Sequence, residues 1–295
     1  MIDYNPKEWF RYIFYFQRGD TVRKLMPLIM TIAVYSTAVA YLLLIHFKLK
    51  DNTDLKNISL MHSLLGFVIS MLLVFRTNTA YDRWWEGRKQ WGTLMNISRN
   101  LALKIDALLG KENDLERKFF MKMIPNYAFA LKNHLQRGYR PEDFDDAELF
   151  NKTALNVHEH IPNQIAAAIF SKVIELQKNG TLLPEHTILL NHELEAFTNI
   201  CGACERIKNT PIPLSYSSFI KKFIFIYIAT LPFGYVFTLS CFVAPMVAFV
   251  FYVLASLEVI AEEIEEPFGT DSNDLPMERL CTTIDHSVKG ILQTN

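Results

Sequence analysis

The 295-residue sequence has almost no net charge, few cysteines and none of the short motifs around which common enzymes are built. Its 30 Lys and Arg against 31 Asp and Glu leave a formal charge of -1, which excludes a strongly basic nucleic-acid binder. Half of the residues are apolar, which excludes a disordered chain. Four cysteines, at 201, 204, 241 and 281, do not form a disulfide framework, and a reducing setting for the soluble part is expected. No Walker loop, G-x-S-x-G elbow, dinucleotide fingerprint or zinc-protease helix occurs, so the chain is not expected to be an enzyme. No small-residue cleavage site follows a short apolar region, so the N-terminus is expected to be retained.

Charge is also missing locally. Leu25 to Phe47 runs 23 residues without Asp, Glu, Lys or Arg, long enough for a hydrocarbon core of about 30 Å. After a polar turn at Lys48 to Asn57, a second such run spans Ile58 to Phe75. Phe219 to Ile260 is apolar except for Lys221, Lys222 and Glu258; it is too long for one crossing and is read as two, with a turn near Ser240 to Pro245. Pro232 and Gly234 then fall inside the third span and suggest a helix that bends or lines a cavity. The expected organisation is an interfacial segment at 1–24, two membrane helices in 25–75, a cytosolic helical domain at 76–218, two more membrane helices in 219–261, and a C-terminal belt and helix at 262–295. Basic residues at Lys7, Arg11, Arg18, Arg23 and Lys24, at Arg76, Arg83, Arg88 and Lys89, and at Lys221 and Lys222 place both termini and the helical domain in the cytoplasm, although Lys48, Lys50 and Lys56 oppose this.

No strand-type alternation appears between the second and third spans. Apolar residues recur at helical spacing instead, as in Leu94, Ile97, Leu101, Ile105 and Leu108, in Ile165, Ile169, Val173 and Leu176, and in Leu190, Leu194, Phe197, Cys201 and Cys204. Pro125 is expected to kink or end the helix that begins near Asp114. No Gly or Pro separates Phe67 from Glu86, so one helix can leave lipid near Phe75 and continue into water.

Several candidate sites have ordinary explanations. The two imidazoles of His158-Glu159-His160 would point apart on a helix, so a metal site is not expected there. Cys201-Gly202-Ala203-Cys204 has redox spacing without a strand before it, and packing explains it better. On the second span, Ser59, Ser63, Gly66, Ser70 and Thr77 share one face suited to helix packing. Phe67, Met71 and Phe75 form a separate stripe that periodicity alone would turn to lipid. Arg83 beside Trp84 and Trp85 suggests a cation-π anchor at the membrane interface. The acidic run Glu262 to Glu266 fits a solvated face, a cation-attracting ring, or part of a Ca²⁺ loop with Asp271 and Asp274.

Phe75-Arg76 with Asp82-Arg83-Trp84-Trp85-Glu86-Gly87, then Ile212-Pro213-Leu214-Ser215-Tyr216, then Glu266-Pro267-Phe268-Gly269-Thr270-Asp271 make the sequence resemble the bestrophin family, in its bacterial branch, over essentially the whole chain. The resemblance implies an all-α integral membrane protein of four transmembrane helices per subunit with a cytosolic helical bundle, assembled as a pentamer around one axial pore. It puts the pore neck at Phe67, Met71 and Phe75, whose rings of apolar side chains can gate by dewetting, and the cytosolic aperture at Thr210 or Ile212. The family's Ca²⁺ clasp is thinned here to Thr270, Asp271, Ser272, Asn273 and Asp274, so no cofactor is expected and Ca²⁺ activation is in doubt. The reading is a homopentameric channel of the bacterial inner membrane, surrounded by lipid and passing monovalent ions, with cations favoured over anions. An anion channel of the same architecture, a secondary transporter built on Pro232 and Gly234, and a membrane-anchored scaffold are the alternatives.

Overall fold

The computed structural model describes residues 21–49, 53–136, 138, 140–146, 150 and 155–293. The expected interfacial segment lies outside these for its first twenty residues, as do Lys50, Asp51 and Asn52 of the polar turn. Eight α-helices carry the described chain: α1 (Thr21–Tyr41), α2 (Thr53–Leu108), α3 (Asp114–Leu135), α4 (Ile161–Lys178), α5 (Pro184–Asn209), α6 (Leu214–Leu239), α7 (Val243–Glu265) and α8 (Met277–Leu292). A π-helical turn at Leu42–His46 extends α1.

Helix α2 organises the molecule. Its 56 residues, at about 1.5 Å each, make a rod of roughly 84 Å, far longer than a bilayer is thick. Near its N-terminal end, Ile69 and Leu73 join Ile220, Ile224, Ile228 and Leu231 of α6 and Val243 and Val247 of α7 in one apolar core. Further along, Trp91, Leu94, Leu101 and Ile105 enter a second core with α3, α4, α5 and α8. The helical-spacing residues of α4 and α5 all point into that second core, as amphipathic periodicity requires.

Three stretches are long and apolar enough to cross a membrane: Thr21–His46, Ile58–Leu108 and Leu214–Glu265. Only 17%, 17% and 28% of the residues in their apolar windows are buried, so a nonaqueous environment or other subunits must cover the remainder. Leu214–Glu265 is two helices packed on each other, reversed by a 3-10 turn at Ser240–Phe242, where Ser240 takes a φ of 47°. Pro232 and Gly234 stay within α6. At Gly234 a Cβ would lie 3.1 Å from His62 Nδ1, so the glycine lets α2 approach closely. His62 Nε2 sits 2.9 Å from Thr230 Oγ1, tying α2 to α6.

One expectation needs correction. Pro125 does not end its helix, because α3 continues to Leu135. Proline removes one hydrogen bond from the ladder, but Phe120, Met123, Ile124, Tyr127, Ala128 and Leu131 around it are completely buried, and that packing holds the helix together.

Leu101 is fully buried on α2. Leu101→Ala should cost about 2–5 kcal/mol of stability, read as a lowered thermal midpoint in detergent; an unchanged midpoint would contradict the assignment of this face to the core.

Candidate functional site on the long helix

Around α2, residues advance by about 100° each. His62, Ile69, Leu73, Arg76 and Ala80 are buried and fall on one face. Phe67, Met71 and Phe75 fall on the opposite face, where they are 72%, 49% and 52% exposed within a single subunit. The small-residue face lies between the two. A Cβ on Gly66 would meet Tyr227 Oη of α6 at 2.8 Å, whereas Ser63 and Ser70 are exposed and return their hydroxyls to the carbonyls of Ser59 and Gly66. The small face is therefore used for close packing at Gly66 and remains partly open elsewhere.

Just past this stripe, two arginines lie two turns apart on the buried side. Arg76, 1% exposed, donates from Nη2 to Glu265 Oε2 at 2.6 Å, and its Nε is 3.7 Å from Glu258 Oε2. Arg83 donates from Nε to the Glu265 carbonyl at 3.0 Å, from Nη2 to the Ile207 carbonyl at 2.7 Å, and from Nη1 to the Thr210 carbonyl. The donors of Arg83 go to main-chain carbonyls at helix ends, where a cation offsets the unpaired acceptors. Trp84 stacks on Tyr81, with centroids 6.1 Å apart, and donates to the Asn273 carbonyl at 3.0 Å. Trp85 is exposed.

The aperture candidates hang from the same groups. Thr210 closes α5, its side chain exposed and bonded to the Arg206 carbonyl. The half-buried Ile212 donates its backbone N–H to Glu265 Oε1 at 2.7 Å. One carboxylate, Glu265, therefore joins α2 to the α5–α6 connection, and Arg83 repeats the tie.

The acidic run is mostly an ion-paired seam. Glu262 meets Lys221 at 3.0 Å, Glu263 meets Lys24, and Glu265 meets Arg76. In the loop that follows, Phe268 and Pro267 press on Gly87, where a Cβ would lie 3.1 Å from the phenyl ring; a larger residue would have to push these rings aside. Asp274 is buried, accepts the Asp271 N–H at 2.6 Å through Oδ2, and has no partner for Oδ1. Burial pushes its carboxyl up to about 6, against the opposing Asp271 hydrogen bond. The residues fit a Ca²⁺ ion poorly. Ca²⁺ takes six to eight oxygens, yet Asp274 already has one oxygen committed, and the nearby Glu263 is matched by the Lys24 ammonium.

Cys201 and Cys204 are buried free thiols on α5, and burial pushes the Cys201 thiol up to about 12; both serve as packing groups. His158 is exposed. His160 caps α4 and turns towards His134 and Glu205, two residues too distant in sequence for spacing to reveal. The Arg76–Glu265 tie was also hidden in the sequence. Its one visible signal was charge bordering apolar runs, at Arg76 and again from Glu258 onward.

An all-helical chain with three apolar stretches, a helix that continues well beyond one of them and a buried charge cluster at the crossing point defines a membrane protein with a helical extramembrane part. A model of the Bacterial/Fungal Bestrophin protein family matches residues 1–290, and the chain belongs to that family. It is similar to a Nostoc sp. protein named as voltage-dependent anion channel-forming, with 33% identity over 97% of this chain and 92% of that one. A Mesorhizobium japonicum protein of the same name is 32% identical over 96% and 90%. A variant of the Klebsiella pneumoniae bacterial bestrophin homologue matches with a TM-score of 0.80 at 25% identity, over 91% of this chain and 99% of that chain. The Nostoc and Mesorhizobium relatives are named as channel-forming proteins and not as enzymes.

Glu265→Ala would leave the Arg76 guanidinium buried without its closest partner. A loss of about 3–5 kcal/mol is expected, measured by thermal unfolding in detergent; a change near zero would mean that the seam does not hold α2 to α7.

Proposed function

We propose that this chain forms a homopentameric ion channel of the bacterial inner membrane that passes monovalent anions in preference to cations. The observation that carries the proposal is the bulky apolar stripe of Phe67, Met71 and Phe75, exposed on the face of a continuous helix opposite its buried side. With five copies around an axis, the stripe becomes three stacked apolar rings, a constriction that opens and closes by wetting. Helices α1, α6, α7 and the N-terminal part of α2 are the four crossings. Residues 76–218 and 262–295, with the N-terminus, lie in the cytoplasm, and Thr210 with Ile212 forms the aperture there. Lipid covers the outer surface of α1 and α6, where Leu28, Val34, Phe225 and Ile226 are exposed.

The preference for anions departs from the cation reading of the sequence. That reading came from the resemblance to the bacterial branch and only weakly from Glu262 to Glu266, and the lysines and arginine paired with those carboxylates cancel much of their field. Aromatic rings also present a positive edge, so Phe67 and Phe75 favour an anion wherever they stand edge-on to the axis. The named activity of the Nostoc and Mesorhizobium relatives supports the same choice. No Ca²⁺ is required for opening, given the incomplete ligand set around Asp271 and Asp274.

Reconstituted in liposomes under opposed KCl and potassium gluconate gradients, the channel should reverse near the Cl⁻ equilibrium potential. A reversal that follows K⁺ would overturn the selectivity, and no current at all would overturn the channel. Phe67→Ala, Met71→Ala and Phe75→Ala combined should raise single-channel conductance or open probability several-fold; parental currents would remove the stripe from the gate.

A further inference from the structure

Away from α2, three side chains from three helices converge on one point. His134 lies in the last turn of α3, His160 caps α4, and Glu205 lies towards the end of α5. Both imidazole Nε2 atoms approach the same oxygen, Glu205 Oε1, at 2.7 Å from His134 and 2.8 Å from His160. The two rings lie 4.3 Å apart between centroids, and one ligand atom from each residue falls within 4.8 Å of the others. Cys201, one turn before Glu205, brings its sulfur to 3.9 Å from His160 Nε2. A cavity of about 530 Å³, lined by His134, Glu205 and Glu159, opens beside the cluster. All three residues are half-buried, so an ion can reach them from the cavity and be held away from bulk water.

We propose that His134, His160 and Glu205 bind a divalent ion of the zinc class. Two imidazoles and one carboxylate with an open fourth position form the ligand set that Zn²⁺ accepts and that Ca²⁺ and Mg²⁺, which prefer all-oxygen shells, do not. The fourth position faces the cavity and takes water or the Glu159 carboxylate. Ligand atoms about 2.0–2.2 Å from a tetrahedral Zn²⁺ stand farther apart than hydrogen-bonded partners do, so the cluster opens slightly when the ion enters. Both Nε2 atoms face Glu205 Oε1; binding the ion through Nε2 takes the neutral tautomer, with the ring proton on Nδ1. For His160 this exchanges the cap bond from Asn163 N–H, 3.1 Å long, for the bond to the ion. The nearby Lys208 ammonium is engaged by the carbonyls of His134 and Leu135.

The proposal stands apart from the channel reading and its test reads binding, not current. Tag-free full-length protein in detergent is titrated with Zn²⁺ in chelator-buffered solution, and the loaded sample is examined by X-ray absorption. One Zn²⁺ per chain, with two imidazoles in its shell and no displacement by excess Mg²⁺, is expected. His134→Gln and Glu205→Gln should each weaken binding by at least about tenfold, while His158→Gln should leave it unchanged. Absence of saturable binding, a shell with fewer than two imidazoles, or undiminished affinity in both variants would overturn the site. The absorption measurement on the unmodified protein decides the question even where a variant fails to fold.

Discussion

The structure depends on two guanidinium groups along one side of a single long helix, Arg76 buried and Arg83 half-buried, and on the carboxylate and carbonyl oxygens that meet them. Arg76 and Arg83 are seven residues apart, two turns, and therefore share a face. Both reach Glu265, one through the side chain and one through the main chain. A charge removed from water is costly to leave without an opposite charge, so the contact of Arg76 with Glu265 permits few alternative arrangements. The two arginines fix where α7 ends, where α5 ends and where α6 begins, because the acceptors are Glu265, Ile207 and Thr210. The membrane-side core and the second core are consequently joined by α2 and locked to it at the level where the apolar sequence stops.

That lock gives α2 two faces with different tasks. The buried face holds the subunit together through Ile69, Leu73, Arg76 and Ala80. The opposite face is left largely uncovered by the described residues, and it carries Phe67, Met71 and Phe75 rather than the polar groups that a water-filled surface would need. A helix clamped so firmly on one side presents the other in a defined orientation, which an apolar constriction requires.

Much of this was legible in the sequence. The absence of Gly and Pro from Phe67 to Glu86 foretold a continuous helix, and the spacing of Leu94, Ile97, Leu101 and Ile105 foretold its inward face. The turn beginning at Ser240 followed from length alone, since 42 apolar residues exceed one bilayer crossing. What escaped was tertiary. Pro125 was expected to kink or end α3; it does not end it, because surrounding burial outweighs the loss of one hydrogen bond. Arg83 beside two tryptophans suggested a ring contact, and its hydrogen bonds to carbonyls at the ends of α5 and α7 are announced by nothing local in the sequence. The acidic run looked solvated because its partners, Lys24, Lys221 and Arg76, come from three distant segments. His134, His160 and Glu205 are likewise united only by the fold.

The central claim, that the exposed stripe of α2 faces copies of itself across an aqueous axis, is tested most directly by nitroxide labels placed singly at positions 67, 71 and 75 in reconstituted membranes. The account predicts spin–spin broadening between subunits, with collision rates that favour a water-soluble relaxant over lipid-dissolved oxygen. Labels without spin–spin coupling that collide chiefly with oxygen would put the stripe on the lipid-facing wall and contradict it.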